Sequence, residues 1–468
     1  MPRKPTSSSY RRFRVLLGHE FFAPAQWQRR LALWMGGVLV GLAAIAFAKL
    51  ATLAYELFER LLAISPYLPL VLTPVVFASL AFATRGRLAA ARGSGIPEVI
   101  AAISVDDRQF RHRLLALPVA LGKMVMTLIG LAAGASIGRE GPTVHVGAGL
   151  MYWLGQRFGF DNPRQASRFI LAGGGAGLAA AFNTPLAGIV FAIEELAGAY
   201  EHRVSGIILT TVIFAGVVSL GLMGNYSYFG IVNTQLPLGQ SWLAVLSCGV
   251  CGGIGGGLYS RLILLEHGPL AKIAALRKRW PVWFALLCGL ALAAIGIFSG
   301  GQIYGTGYDQ AHALVQATTT APAPFGLMKL SANILSYWAG IPGGIFSPAL
   351  TVGAGMGNTL AAWLPAADHS AVVLLGMAAF LAGVTQTPIT AAVISLELTA
   401  NHNMVVPLLA VCLLARGISS LACRTPVYRA FAERAIAGYE RASDPPEQKG
   451  MEEIADPEKG DWDKEVRS

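Results

Sequence analysis

Apolar runs, cut at intervals by glycine, proline and isolated charges, fill this chain from residue 31 to residue 421. Residues 31–62 form one long run, and 68–83 a second with Pro69 and Pro74 near its start. Further runs occupy 114–133, 143–153, 169–182, 186–196, 207–222, 243–265, 282–298, 326–338, 349–364, 371–381, 388–398 and 405–415. A helix needs about 20 apolar residues to cross a bilayer. Several runs meet that length, while others, such as 99–104, are too short and read as partial helices. The pattern predicts an all-α polytopic membrane protein whose helices are tilted and broken. Residues 106–113 and the basic stretch around Lys272, Arg277, Lys278 and Arg279 read as charged loops.

The breaks carry the chemistry. Gly138-Arg139-Glu140-Gly141-Pro142 places a carboxylate and a guanidinium inside an apolar region. Ionisable groups at membrane depth are costly and by default functional. Flanking glycines and a following proline read as a chain break and then a helix start, because proline is tolerated in a first turn. A helix that starts at membrane depth aims unpaired N–H groups and a positive dipole end at its surroundings. That arrangement is an anion site, with Glu140 beside it. Similar breaks occur at Gly93-Ser94-Gly95-Ile96-Pro97, at Asn183-Thr184-Pro185 and at Gly343-Gly344-Ile345-Phe346-Ser347-Pro348.

The breaks repeat. Residues 183–194 align with 386–397 at an offset of 203, and 142–149 with 348–355 at an offset of 206. Two matches in the same order at nearly the same spacing indicate duplicated halves. Duplicated membrane halves with broken helices at matching places point to a transporter with a midplane site. Inverted-topology repeats bring both helix starts to one buried place, where irregular backbone is tolerated. Glu194 matches Glu397, so this pair reads as architectural, capping backbone donors on both sides. Glu195 matches Leu398, and Glu140 matches Phe346. These two unmatched acids are the candidates for proton handling.

Composition sharpens the class. The 468 residues are 54% hydrophobic and 13% charged, with mean hydropathy +0.54, against about 25% charged residues in soluble domains. The 54 glycines suit close helix approach in lipid. The formal charge of +10 lies largely in short flanking segments and is no sign of nucleic-acid binding. The basic segments, by the positive-inside rule, belong in the cytoplasm with both termini. No cleavable signal is evident. The expected organisation is a cytoplasmic basic arm (1–30), a first membrane repeat (31–223), an extracytoplasmic loop (224–241) and a second repeat (242–421). A C-terminal helix reaching toward the ion pathway (422–440) and a disordered cytoplasmic tail (441–468) follow. The five cysteines, including Cys248 and Cys251 at redox-motif spacing, read as packing residues. No Ser/His/acid set, metal-ligand spacing or dinucleotide fingerprint is present, so neither an enzyme nor a cofactor is expected.

These motifs closely resemble the CLC family of chloride channels and proton-coupled chloride transporters. The resemblance rests on Gly93-Ser94-Gly95-Ile96-Pro97, Gly138-Arg139-Glu140-Gly141-Pro142, residues 183–195, Gly343-Gly344-Ile345-Phe346-Ser347-Pro348 and Tyr428. It covers the chain from residue 31 to about 431. It implies that the hydroxyls of Ser94 and Tyr428 and the backbone N–H groups of Ile345 and Phe346 hold a central anion. It further implies that Glu140 gates the anion path, that Glu195 relays protons from the cytoplasmic side, and that the protein is a homodimer with one pathway per subunit. Many relatives carry a C-terminal nucleotide-binding domain, where this chain has a short tail.

Taken singly, the same residues have plainer readings. Ser94 serves equally as a helix cap, Tyr428 as an interfacial anchor and Glu195 as a water-facing acid. Arg139 reads as a residue that orients the break, and His145 as a packing residue. Lys123 is expected to pair with a buried acid or carbonyl, and Glu98 to support the fold near the cytoplasmic mouth. The expected function is a secondary active antiporter exchanging chloride and similar monovalent anions for protons, in a bacterial inner membrane. The alternative is a passive voltage- or pH-gated chloride channel of the same family. A few N–H and O–H dipoles can replace the weak hydration of chloride, whereas a full cation in the site would hold it too tightly.

Overall fold

The computed structural model describes residues 24–85, 89–160, 162–198, 206–224, 226–264 and 269–443. Among these the regular structure is helical. The first repeat contains α1 (Pro24–Ile64), α2 (Pro69–Ala83), α3 (Ile96–Ser104), α4 (Arg108–Leu115), α5 (Leu117–Leu131), α6 (Glu140–Arg157) and α7 (Pro163–Phe182). It ends with α8 (Pro185–Phe191), continued by a π-helical turn (Ala192–Leu196), and α9 (Gly206–Met223). The second contains α10 (Leu243–Leu264), α11 (Pro269–Arg279), α12 (Pro281–Phe298), α13 (Tyr308–Val315), α14 (Phe325–Trp338) and α15 (Phe346–Ala361). It ends with α16 (His369–Thr385), α17 (Pro388–Thr399) and α18 (Val405–Ala422), and α19 (Val427–Ser443) follows. Six helical stretches are long and apolar enough to cross a bilayer alone. Helices such as α17, at 12 residues, are not, as the broken pattern predicts.

The duplication is visible in the backbone. Asn183 and Gln386, one repeat apart, both end their helices in the left-handed region, at φ 57° and 60°. Each precedes a Thr-Pro step that starts the next helix. Gly147 of α6 meets the backbone of Gly173 in α7 so closely that a Cβ on either would strike the other's carbonyl. Their counterparts Gly353 and Gly376 make the same contact between α15 and α16. Small residues here let two backbones touch, which is how helices associate without a hydrophobic drive.

The halves are inverted. Glu194, at the end of α8, accepts from the N–H groups of Ile389 (3.2 Å) and Thr390 (2.6 Å) at the start of α17. Glu397, near the end of α17, accepts from Leu186 (3.1 Å) and Ala187 (2.6 Å) at the start of α8. Each helix begins where the other ends, so the equivalent helices are antiparallel. Both carboxylates cap backbone donors, as their matched positions predicted.

Several stretches read as loops are helices. Residues 106–113 form most of α4, because Asp107 caps it by accepting from the Phe110 N–H at 2.7 Å. Arg111 is buried there, bonded to Asp106, Ser167 and the carbonyls of Ala102 and Pro163. The basic stretch at 272–279 lies in α11, and the uncharged segment at 301–326 contains α13. The C-terminal helix runs from Val427 to Ser443 rather than over 422–440. Ala422 still belongs to α18, and Pro426 separates the two helices. Residues 441–443 are therefore helical, and the rest of the expected tail lies outside the described residues, as does most of the basic arm.

Candidate functional site

Three breaks converge. The Gly138 N–H donates to the Gly344 carbonyl at 2.7 Å, and the Gly344 N–H to the Gly138 carbonyl at 2.6 Å. The two glycines are equivalent positions of the two repeats. The Gly343 N–H donates to the Gly93 carbonyl at 3.2 Å, which brings in the Ser94 loop. A Cβ on Gly95 would strike the Gly141 carbonyl, and one on Gly141 would strike Ser94. Glycine is required at both because the backbones of α3 and α6 meet there. The Gly95 φ of 106° adds a second reason.

Two helices start at this junction without side-chain caps: α6 after Arg139 and α15 after Ile345. Their first N–H groups have no intrahelical partners. The Glu140 side chain leaves α6 and turns to α15, where its Oε1 accepts from the Ser347 hydroxyl at 2.6 Å. Its Oε2 is buried and has no hydrogen-bond partner among the described residues. The gate candidate thus lies at the positive end of the helix begun by Phe346, the residue that matches it in the other repeat. Ile345 and Phe346 are both buried at that start.

Ser94 and Tyr428 are each 1% exposed. Neither hydroxyl has a hydrogen-bond partner among the described residues. Buried polar atoms are partnered in the large majority of cases, so two free hydroxyls near one pair of open helix starts mark a polar path. Tyr428 sits in the first turn of α19, which packs on α3 behind Ser94. Its hydroxyl is within electrostatic reach of both Glu140 and Glu195. Glu195 is buried, accepts from the Thr387 hydroxyl at 3.2 Å, and has Glu194 and Arg429 as neighbouring charges. A cavity of about 260 Å³, lined partly by Arg416 and Arg429, reaches it.

The supporting residues behave as their types suggest. Arg139 donates to the Ala48 carbonyl at 2.8 Å and fixes the break against α1. His145 is bonded to the Leu114 carbonyl at 2.9 Å. Lys123 lies 3.4 Å from Glu98 and donates to the Arg92 carbonyl, which holds the Ser94 loop from behind. Glu98 also takes the Gly95 N–H at 3.0 Å.

Sequence reasoning missed the counterpart of this brace. Lys329 lies 206 residues after Lys123 and is fully buried. It donates to the carbonyls of Ile303, Tyr304 and Gly305. The loop it holds leads through Thr306 and Gly307 into α13, as Ser94 and Gly95 lead into α3. The offset already found for the glycine breaks was the available signal. Ser347 and Thr387, the hydroxyls on the two unmatched acids, were also not singled out.

Comparisons with known proteins agree with this geometry. The family model described as voltage gated chloride channel matches residues 76–420. The protein named H(+)/Cl(-) exchange transporter ClcA of Cronobacter sakazakii is 31% identical over 424 residues, covering 86% of this chain and 89% of that one. The crystal structure of a slow cyanobacterial Cl-/H+ antiporter superposes with TM-score 0.72 at 22% identity, covering 88% of this chain and 98% of its own. That of a CLC-type fluoride/proton antiporter superposes with TM-score 0.71 at 23% identity, covering 86% and 96%. These two likenesses speak to the fold. Taken with the family match and the identity to ClcA, the inverted repeats and their paired breaks make this multi-pass membrane chain a member of the voltage-gated chloride channel, or CLC, family.

Proposed function

We propose that the protein is a secondary active antiporter that exchanges chloride, and similar monovalent anions, for protons. The observation that carries this reading is the Glu140 carboxylate, buried at the uncapped start of α15 with one oxygen on Ser347 and the other unpartnered. A carboxylate and a chloride ion are rivals for the same N–H dipoles. Deprotonated Glu140 holds the place. Protonated Glu140 has lost the charge that drew it there, and an anion can replace it. One side chain therefore links anion occupancy to proton occupancy.

Ser94, Tyr428, Ile345 and Phe346 serve as the central anion ligands. They are neutral donors, which bind a weakly hydrated anion and still release it. Glu195 serves as the proton relay from the far side, with Thr387 orienting it. The halide role of Ser94 favours chloride over fluoride. The name of the curated relative supports proton exchange. By the same resemblance the protein works as a homodimer with one pathway per subunit, both termini in the cytoplasm of a bacterial inner membrane.

The test is simultaneous recording of chloride and pH with the purified chain in liposomes. A chloride gradient should drive protons the opposite way through the protein. Chloride flux with no accompanying proton movement would replace the antiporter with a passive channel of the same family.

A further inference from the structure

A cavity of about 830 Å³ adjoins Ser94 and does not include Glu140. Its walls come from three distant parts of the chain. The loop before α3 contributes Arg92, α11 contributes Arg277 and Lys278, and α19 contributes Arg434. Glu98 also lines it, but that carboxylate is already engaged by Lys123 and by the Gly95 N–H. Three guanidiniums and an ammonium thus share a cavity without a matching acid in its lining.

The guanidiniums are held in place. Arg434 donates to the Leu264 carbonyl at 3.0 Å and lies over the Phe431 ring at 5.2 Å. Arg92 passes so close to Gly340 that a Cβ there would strike it. Arg277 is within electrostatic reach of both other arginines, and its Nε is buried with no hydrogen-bond partner among the described residues. Gathering like charges is unfavourable unless an anion joins them. Chloride transport does not call for this arrangement, because a path that must release its ion uses neutral dipoles. Guanidinium forks match planar oxygen pairs of phosphate and carboxylate groups, and the volume suits a polyatomic ligand rather than a single ion.

We propose that this cavity binds a polyvalent oxyanion of the phosphate class, held by Arg92, Arg277 and Arg434 with Lys278 at the rim. Because Ser94 forms part of the same wall, the occupant closes the anion route to it. The binding stands by itself, while the blocking effect rests on the transport reading above.

Calorimetric titration of the purified full chain with inorganic pyrophosphate, in chloride buffer of ordinary ionic strength, reads the binding without requiring transport. Saturable binding is expected. Arg92→Gln and Arg277→Gln should each weaken it about tenfold or more, the scale of one hydrogen bond between charged groups. Lys278→Gln, on an exposed side chain that packs against nothing essential, should weaken it by a smaller factor, and the exposed Arg164→Gln on α7 should not. Absence of saturable binding, or parental affinity in all three cavity variants, would overturn the site. In liposomes, pyrophosphate on the face that carries α11 should slow chloride flux through the parent and spare Arg277→Gln. Pyrophosphate that binds and leaves the flux unchanged overturns the blocking effect. A parent with no chloride flux at all speaks against the transport reading and leaves the calorimetric result standing.

Discussion

Glu194 and Glu397 cap each other's helices, each carboxylate closing two backbone donors at the start of the segment that carries the other. Replacing Glu397 with alanine should therefore destabilise the protein by about 2 kcal/mol, since it strands donors that had a charged acceptor. Glu194→Ala should cost a similar amount. Thermal unfolding in detergent compares them. Glu397→Gln, which keeps one acceptor, should fall between parent and alanine and retain chloride uptake.

Glu140→Gln should abolish proton coupling while chloride still passes, read from paired chloride and pH traces. Unchanged pH dependence of chloride flux in this variant would sink the gate. Ser347→Ala is the subtler case. It removes the donor that holds the deprotonated carboxylate at α15. Chloride uptake should then persist to higher pH than in the parent, with coupling retained.

Glu195→Gln should stop protons and keep chloride. Thr387→Val removes the hydroxyl that donates to Glu195, and should slow proton movement relative to chloride without halting either. Two ions moving in parental ratio in Glu195→Gln would remove that residue from the proton path.

Gly147→Ala and its counterpart Gly353→Ala put a methyl into a carbonyl across the helix interface. Each should lower stability by about 1–3 kcal/mol, the usual size of an overpacking strain. Gly438→Ala, in α19 with open space around the added Cβ, should instead raise it by roughly 0.5–1 kcal/mol through helix propensity. Unfolding midpoints of the three variants check both signs in one experiment.

Lys329→Met should prevent normal folding or cost about 3 kcal/mol or more, because three buried carbonyls lose their common donor. Yield and monodispersity on size-exclusion chromatography report it.

Much of this was legible because charge and glycine are conspicuous inside apolar runs. Glu140, Glu194 and Glu397 stand out there, and a fixed offset tied the halves together. The inversion was not legible, since the order of residues is the same for either orientation. Only the crossing of α8 and α17 fixes it. Helices α4 and α11 were hidden because short basic stretches look like loops. The capping position of Asp107 was the overlooked mark of the first. Thr306 and Lys329 escaped because the loop before α13 keeps the glycines of its counterpart but not its other residues. The arginine cavity could not be read at all, because Arg92, Arg277 and Arg434 meet only after the chain has folded.

The paired bonds between Gly138 and Gly344 have a consequence for motion. Transporters built from two repeats commonly expose their site alternately by rocking one repeat against the other. Here the repeats are clasped to each other by two short backbone bonds at the very place where the ion would sit. Rocking about that place would break the clasp on every cycle. The working stroke is therefore better assigned to side chains, a carboxylate leaving and re-entering its seat, while the two halves remain stationary around it.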